Sequence, residues 1–285
     1  MSRTVYVNGD YVTEETASVS VFDRGFLFAD GVYEVSTVLK GQLVENEAHL
    51  ARLKRSLDEL KMALPCGLDE IEAIQQQVIQ RNNLIEGVIY LQVTRGVADR
   101  DFKFPKGVKT SLVMFTQSKN LLTDPVAERG IRVISVPDIR WKRRDIKTTG
   151  LLAASLAKQQ ATEAGADDAW MVEDGVVTEG SSNNAYIVTA NGRIVTRQLS
   201  NSILHGITRA AVLRLAAETE LQVEERPFTL AEAQSANEAF ITSASTFVYP
   251  VVSIDGVTLG TGEPGPVSMR LRNLYIEMAL ASISA

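Results

Sequence analysis

Apolar and polar positions along this chain follow two periods, and the switches between them mark out its elements. TVYVNGDYV sets two β-rich runs around Asn8-Gly9, a dipeptide favoured in two-residue hairpins. A Gly-punctuated loop, FDRGFLFADG, feeds a strand at Tyr33–Leu39 and a second hairpin at Lys40-Gly41. The period then lengthens. In EAHLARLKRSLDELKMAL, Leu50, Leu53, Leu57, Leu60 and Leu64 recur at helical spacing until Pro65 stops the run. A second helix is expected over Leu68–Asn82, then strands in GVIYLQVTRG and SLVMFTQS, with the loop VADRDFKFPKG between them. These elements predict a smaller α+β domain over residues 1–119.

NLLTDPVAERG, polar and proline-containing, reads as a linker over 120–130, and residues 131–285 as a larger α/β domain. There IRVISV predicts a strand and Leu151–Ala164 a helix closed by Gly165. DAWMVEDG, VVTEG, NAYIVTANG and RIVT predict a meander with turns at Asp174-Gly175 and Asn191-Gly192. Helices over Ile207–Glu220, in TLAEAQSA with its Thr cap, and in PVSMRLRNLYIEMAL alternate with strands in QVEERPF, EAFITSA and YPVVSIDGV.

Composition narrows the function. Of the 285 residues, 45% are hydrophobic and 22% charged, enough to bury a core. Net charge is -6 with the signs interleaved, so there is no basic stripe for nucleic acid. No apolar stretch reaches bilayer length and MSRTVYVNGD has no signal-peptide core, so no membrane partner is expected and cytoplasm is the expected compartment. A lone Cys66 excludes an internal disulfide, and two histidines, His49 and His205, leave little for a metal cluster or a Ser-His-acid triad. No metal is expected. Chemistry here needs a lysine, a tyrosine, carboxylates or a cofactor.

The stretch from Ile139 to Asn184 offers both a lysine and a carboxylate. Lys147 stands just before the helix of GLLAASLAKQ, where partial desolvation favours a neutral, nucleophilic amine. Glu179 is followed by Gly-Ser-Ser-Asn, which suggests a carboxylate held in a turn and pointing inward. A pyridoxal phosphate enzyme needs these two groups, a Schiff-base lysine and an acid beside the ring nitrogen. Taken alone, each has a plainer reading as a surface lysine and hairpin decoration. GTGEPG at Gly260–Gly265 has the spelling of a dinucleotide loop, but Pro264 and the missing following strand make it a surface loop. Gly206-Ile207-Thr208 opens a helix and so suits a phosphate, although a Thr cap is the commoner use. Phe240–Ser245 ends a strand in small hydroxyl residues, and Arg52 reads, on residue type alone, as a solvated arginine.

The whole phrase says more. IKTTGLLAASLAKQQA followed by AWMVEDGVVTEGSSNNAYIV resembles the core of the two-domain fold-type IV pyridoxal 5'-phosphate enzymes, most of all the D-amino acid aminotransferases. Branched-chain aminotransferases and aminodeoxychorismate lyases are their relatives, and the resemblance runs from NGDYV to the last helix. It implies Lys147 as the catalytic, cofactor-bearing lysine and Glu179 as the ring partner. It also implies Leu204 against the ring, and Arg52, Ile207, Thr208, Ser243 and Ala244 around the phosphate. Tyr33, Val35, Arg100, Phe102 and Ser182 fall at substrate-facing positions. Two departures stand out: Ala29 where a glycine is usual, and Phe102 where a carboxylate-binding histidine is usual. The resemblance further implies a ping-pong exchange between an amino donor and a 2-oxo acid, in a homodimer that lends a loop across subunits. A β-eliminating lyase, or a binding protein that has lost catalysis, are the rival classes.

Overall fold

Along the strand Glu86–Thr94, Ile89, Leu91 and Val93 are buried while Tyr90 and Gln92 are half-buried, the alternation of a sheet with one covered face. The computed structural model describes residues 2–284. It divides into two compact units. The first holds residues 2–120, Ile146–Gly150 and 282–284; the second is Leu121–Asp145 with Leu151–Ala281. The strip carrying Lys147 thus packs with the first unit, whereas the sequence reading puts it in the C-terminal domain.

In the first unit, β1 (Thr4–Val7) and β2 (Asp10–Thr13) form the expected hairpin, with Asn8 and Gly9 both at positive φ. The loop after it contains a short helix that the sequence does not announce, α1 (Arg24–Phe28), capped by the Asp23 side chain. Then follow β3 (Gly31–Leu39), β4 (Gln42–Val44), α2 (Asn46–Glu59), α3 (Leu68–Arg81), β5 (Glu86–Thr94) and β6 (Ser111–Ser118). The strands make one antiparallel sheet in the order β2-β1-β6-β5-β3-β4. Leu50, Leu53 and Leu57 of α2 and Ile71, Ile74 and Val78 of α3 meet Ile89, Leu91, Val93, Leu112 and Met114 in its core. Helix α2 stops before Leu64. Lys61 turns left-handed at φ 53 and the Met62 N–H returns to the Leu57 carbonyl, so the backbone closes the helix well ahead of Pro65.

In the second unit, the stretch read as a linker holds α4 (Pro125–Arg129), capped by Asp124 with proline in its first turn. After it come β7 (Ile131–Pro137), α5 (Leu152–Glu163), β8 (Asp168–Glu173), β9 (Val176–Gly180), β10 (Asn184–Val188) and β11 (Ile194–Thr196). They are followed by α6 (Ile207–Glu218), β12 (Val223–Glu225), α7 (Leu230–Gln234), β13 (Glu238–Ser243), β14 (Phe247–Ile254), β15 (Val257–Thr258) and α8 (Pro266–Ser282). The strands form a mixed sheet in the order β12-β11-β10-β13-β14-β7-β8-β9, with β15 on β14. Parallel pairs join β11 to β12, β14 to β7 and β7 to β8. Helix α5 buries Ala157 and Ala161 on Val136, Ala169 and Met171. The Gly260–Gly265 segment is the loop before α8, and that helix's first N–H groups, at Val267 and Ser268, are taken by the Glu238 carboxylate. Among the described residues no helix is long and apolar enough to cross a membrane.

Candidate active site

Lys147, ahead of α5, is held along β3. Its carbonyl accepts from the Tyr33 N–H at 3.0 Å, and Thr148 bridges to Val32. This pairing sets the lysine beside Tyr33: Nζ donates to the phenol oxygen at 3.2 Å and sits 4.3 Å from the ring centre. Tyr33 in turn stacks on Tyr90 at 5.5 Å, which stacks on Phe115 at 4.7 Å. Val35 shares the half-buried face with Tyr33 because strand side chains alternate.

Glu34, between those two, points the opposite way into the core with 1% exposure. Arg52 of α2 grips it twice, Nε to Oε1 at 2.8 Å and Nη2 to Oε2 at 2.7 Å, and His49 Nδ1 lies 2.8 Å from Oε2. Burial alone would raise this carboxyl, but Arg52 and His49 overcome it and hold it down at about 2. The solvated-arginine reading of Arg52 is therefore overturned: the guanidinium is buried and paired. Glu34 and His49 carried no signal by type or spacing, since their partner lies on another element.

The loop after β5 carries Arg100 and Phe102, both exposed. Phe102 packs edge-on against Phe28 at 5.7 Å, and the Arg100 guanidinium lies 5.5 Å from the Phe28 ring and 5.6 Å from that of Phe102. Buried Arg24 anchors this loop, donating to the Asp101 carbonyl at 2.6 Å and to Asp30 at 2.7 Å. Arg95 also reaches Asp30, and donates to the Leu60 and Lys61 carbonyls at the end of α2. Ala29, ending α1, adopts the left-handed region at φ 53, which explains why glycine suits that position.

Glu179 lies in β9, one residue before its end, and is buried. Oε1 accepts from Arg140 at 2.6 Å, and Oε2 from Asn184 Nδ2 at 3.0 Å and from the Leu204 N–H at 3.1 Å. Burial pushes this carboxyl up; Arg140 pulls against it without cancelling the rise. A carboxylate has about four acceptor positions, so these three donors leave room for one more, which suits a protonated ring nitrogen. Asn184 also donates to the Leu204 carbonyl, so both Leu204 backbone groups belong to the same cluster. Arg140 and Asn184 were not singled out in the sequence, although the charge-rich run DIRWKRRD is a signal that could have flagged the first.

Helix α6 starts at Ile207 with Gly206 as its cap residue and no side-chain cap, so Thr208 is not the cap. A side chain at 206 would force Asn184 to move, because a Cβ there would stand 2.1 Å from Asn184 Oδ1. An uncapped start with close backbone approach is what a phosphate requires. Ser243 ends β13 with its hydroxyl 2.8 Å from that of Thr246, and Ala244 follows it in the turn. Ser182 is exposed in the bend between β9 and β10, and His205 contacts the Ser200 carbonyl at 3.3 Å.

The first unit presents a lysine against a tyrosine, and the second a buried acid and an uncapped helix start. These are the groups that a pyridoxal phosphate enzyme requires. The chain belongs to the amino-transferase class IV family, whose sequence profile matches residues 31–254. It is 37% identical over 277 residues to the D-alanine aminotransferase of Staphylococcus haemolyticus, covering 96% of this chain and 98% of that protein. It is 38% identical over 270 residues to that of Bacillus licheniformis, covering 94% of each. The branched-chain aminotransferase of the thermophilic archaeon Thermoproteus uzoniensis, solved with norvaline, has the same fold. Its TM-score is 0.86 at 26% identity, over 99% of this chain and 96% of that one.

Proposed function

We propose that this chain is a D-amino acid aminotransferase that uses pyridoxal 5'-phosphate to move an amino group from a D-amino acid to pyruvate or 2-oxoglutarate. Likeness to D-alanine aminotransferases over 96% of the chain carries this reading. When bound, the cofactor supplies an aldehyde that condenses with primary amines and a ring that stores the electron pair released at Cα. Lys147 would hold the cofactor, and its amine would serve as the base that moves the proton released at the substrate Cα. Tyr33, hydrogen-bonded to Nζ, orients that amine. Glu179 would favour protonation of the ring nitrogen, and Leu204 would lie against the ring. The backbone at Ile207 and Thr208, the Ser243-Ala244 turn and Arg52 bind the phosphate. Tyr33, Val35 and Ser182 face the substrate.

Arg100 is the carboxylate clamp in this reading, acting across a cytoplasmic homodimer. Apolar side chains exposed on the first unit, Val21, Phe22, Phe26 and Phe104 with Phe102 at 79% exposure, support a covering second copy. Phe102 also favours a second reading: an apolar ring in place of a donor suits primary amines of (R) configuration. The test follows oxo-acid formation from D-alanine, D-glutamate, L-leucine and (R)-1-phenylethylamine, in wild type and Arg100→Ala. D-alanine should lead. Losing one charge-assisted contact of about 1.5–3 kcal/mol should lower kcat/KM for D-amino acids by roughly ten- to a hundredfold. Fastest reaction with L-leucine would make it a branched-chain enzyme. Pyruvate released from aminodeoxychorismate without an acceptor would make it a lyase.

A further inference from the structure

A chain of alternating charges runs through the second unit and ends on Glu179. Lys142, with its side chain 80% exposed, meets Glu173 at 2.5 Å. Glu173 holds Arg144 at 2.8 and 3.0 Å, and Arg144 Nε lies 3.4 Å from Asp138. Asp138 takes Arg140 on both oxygens, at 3.0 and 2.7 Å, and a hydroxyl from Thr178 at 2.6 Å. Arg140 then spends its remaining nitrogen, Nη1, on Glu179 Oε1 at 2.6 Å. Apart from Glu179, the proposed reaction uses none of these groups directly, yet the side chains of Asp138 and Arg144 are wholly or almost wholly buried.

We propose that Arg140 is a positioning residue for the transamination, locked by Asp138 so that it favours the ionised form of Glu179 and aims it with one acceptor position free. The inference rests on the reading that Glu179 faces the cofactor's ring nitrogen. The physical argument concerns one proton shared by a carboxyl and a pyridine nitrogen. Burial favours the neutral arrangement, with the proton on the carboxyl. A guanidinium on Oε1 stabilises negative charge on the carboxylate it touches, and acts less on a positive charge beyond it. The proton is therefore biased toward the ring, where it makes the ring an electron sink. Asp138 has two further effects. Its grip on Nε and Nη2 fixes the guanidinium plane, so Nη1 has a single direction to point. Its negative charge also opposes ionisation of Glu179, from farther away. Arg140 outweighs it through direct contact. Arg197 also acts on this carboxyl through its charge.

The experiment uses the full-length chain as wild type, Arg140→Met, Arg140→Lys, Glu179→Gln and the Arg140→Met/Glu179→Gln double variant. Titration of the Glu179 carboxyl is followed by carbon NMR on glutamate-labelled protein stripped of cofactor, with the signal assigned by its loss in Glu179→Gln. Pyridoxal phosphate affinity and the visible spectrum of the reloaded protein are measured against pH. In Arg140→Met the Glu179 midpoint should move up by roughly one pH unit or more, and Arg140→Lys should recover part of the shift. Cofactor affinity should fall about tenfold in Arg140→Met, and the double variant should be no weaker than Glu179→Gln alone, because Arg140 acts through Glu179. An unmoved midpoint in folded Arg140→Met or Arg140→Lys overturns the inference, as does a double variant weaker by the product of the two single effects. A different result would sink the underlying reading: Glu179→Gln with unchanged cofactor affinity and spectrum.

Discussion

Replacing Glu34 by glutamine removes the carboxylate that Arg52 and His49 both hold, and leaves a buried guanidinium facing an amide. Arg52 has 8% exposure and Glu34 1%, so water cannot fill the gap cheaply. Breaking such a pair from one side typically destabilises by about 3–5 kcal/mol. The pH dependence gives an independent figure. The carboxyl falls from 4.5 to about 2 on folding, which at about 1.4 kcal/mol per pH unit is worth about 3 kcal/mol. Because the folded group titrates below its unfolded value, this stabilisation is complete above pH 4.5 and is lost as pH falls towards about 2. Glutamine has no such titration. Urea unfolding of wild type and Glu34→Gln from about pH 7 down to about pH 3 should therefore show a gap that narrows on acidification. A gap of the same size at every pH would refute the reasoning, since the pair would then contribute through packing and not through charge.

Lys147→Ala should lower turnover by several orders of magnitude and end borohydride fixation of the cofactor to the chain, while unfolding midpoints change little. Wild-type turnover in that variant would remove Lys147 from the chemistry. Gly206→Ala places a methyl 2.1 Å from Asn184 Oδ1. It should displace the amide that steadies Glu179, weakening pyridoxal phosphate binding about tenfold and destabilising the fold by about 1–3 kcal/mol; a titration with cofactor and a urea melt check both. Ala29→Gly relieves a left-handed alanine at φ 53. It should raise stability by about 0.5–1 kcal/mol once the greater freedom of glycine in the unfolded chain is deducted, as read from the urea midpoint.

Much of the architecture was legible because it is written in short-range pattern. The leucines of α2 declare a buried face at a spacing of three and four. Asn8-Gly9, Lys40-Gly41 and Asp174-Gly175 mark turns because each needs positive φ, and each has it. Thr229 caps α7 through the Glu232 N–H, as the sequence proposed. The family was legible too, since the phrase around Lys147 and Glu179 is carried whole. What the pattern did not contain was the end of α2, where Lys61 adopts a backbone state that its side chain does not advertise. Nor could it reveal that Arg52 pairs with Glu34, that Arg95 closes the last turn of α2, or that Arg140 grips Glu179 across 39 positions. Periodicity records which face of an element is buried, and it does so one element at a time. The partner of a buried charge is chosen when separate elements pack. There desolvation makes an unpaired charge too costly to leave, so only the tertiary structure decides which carboxylate each arginine meets.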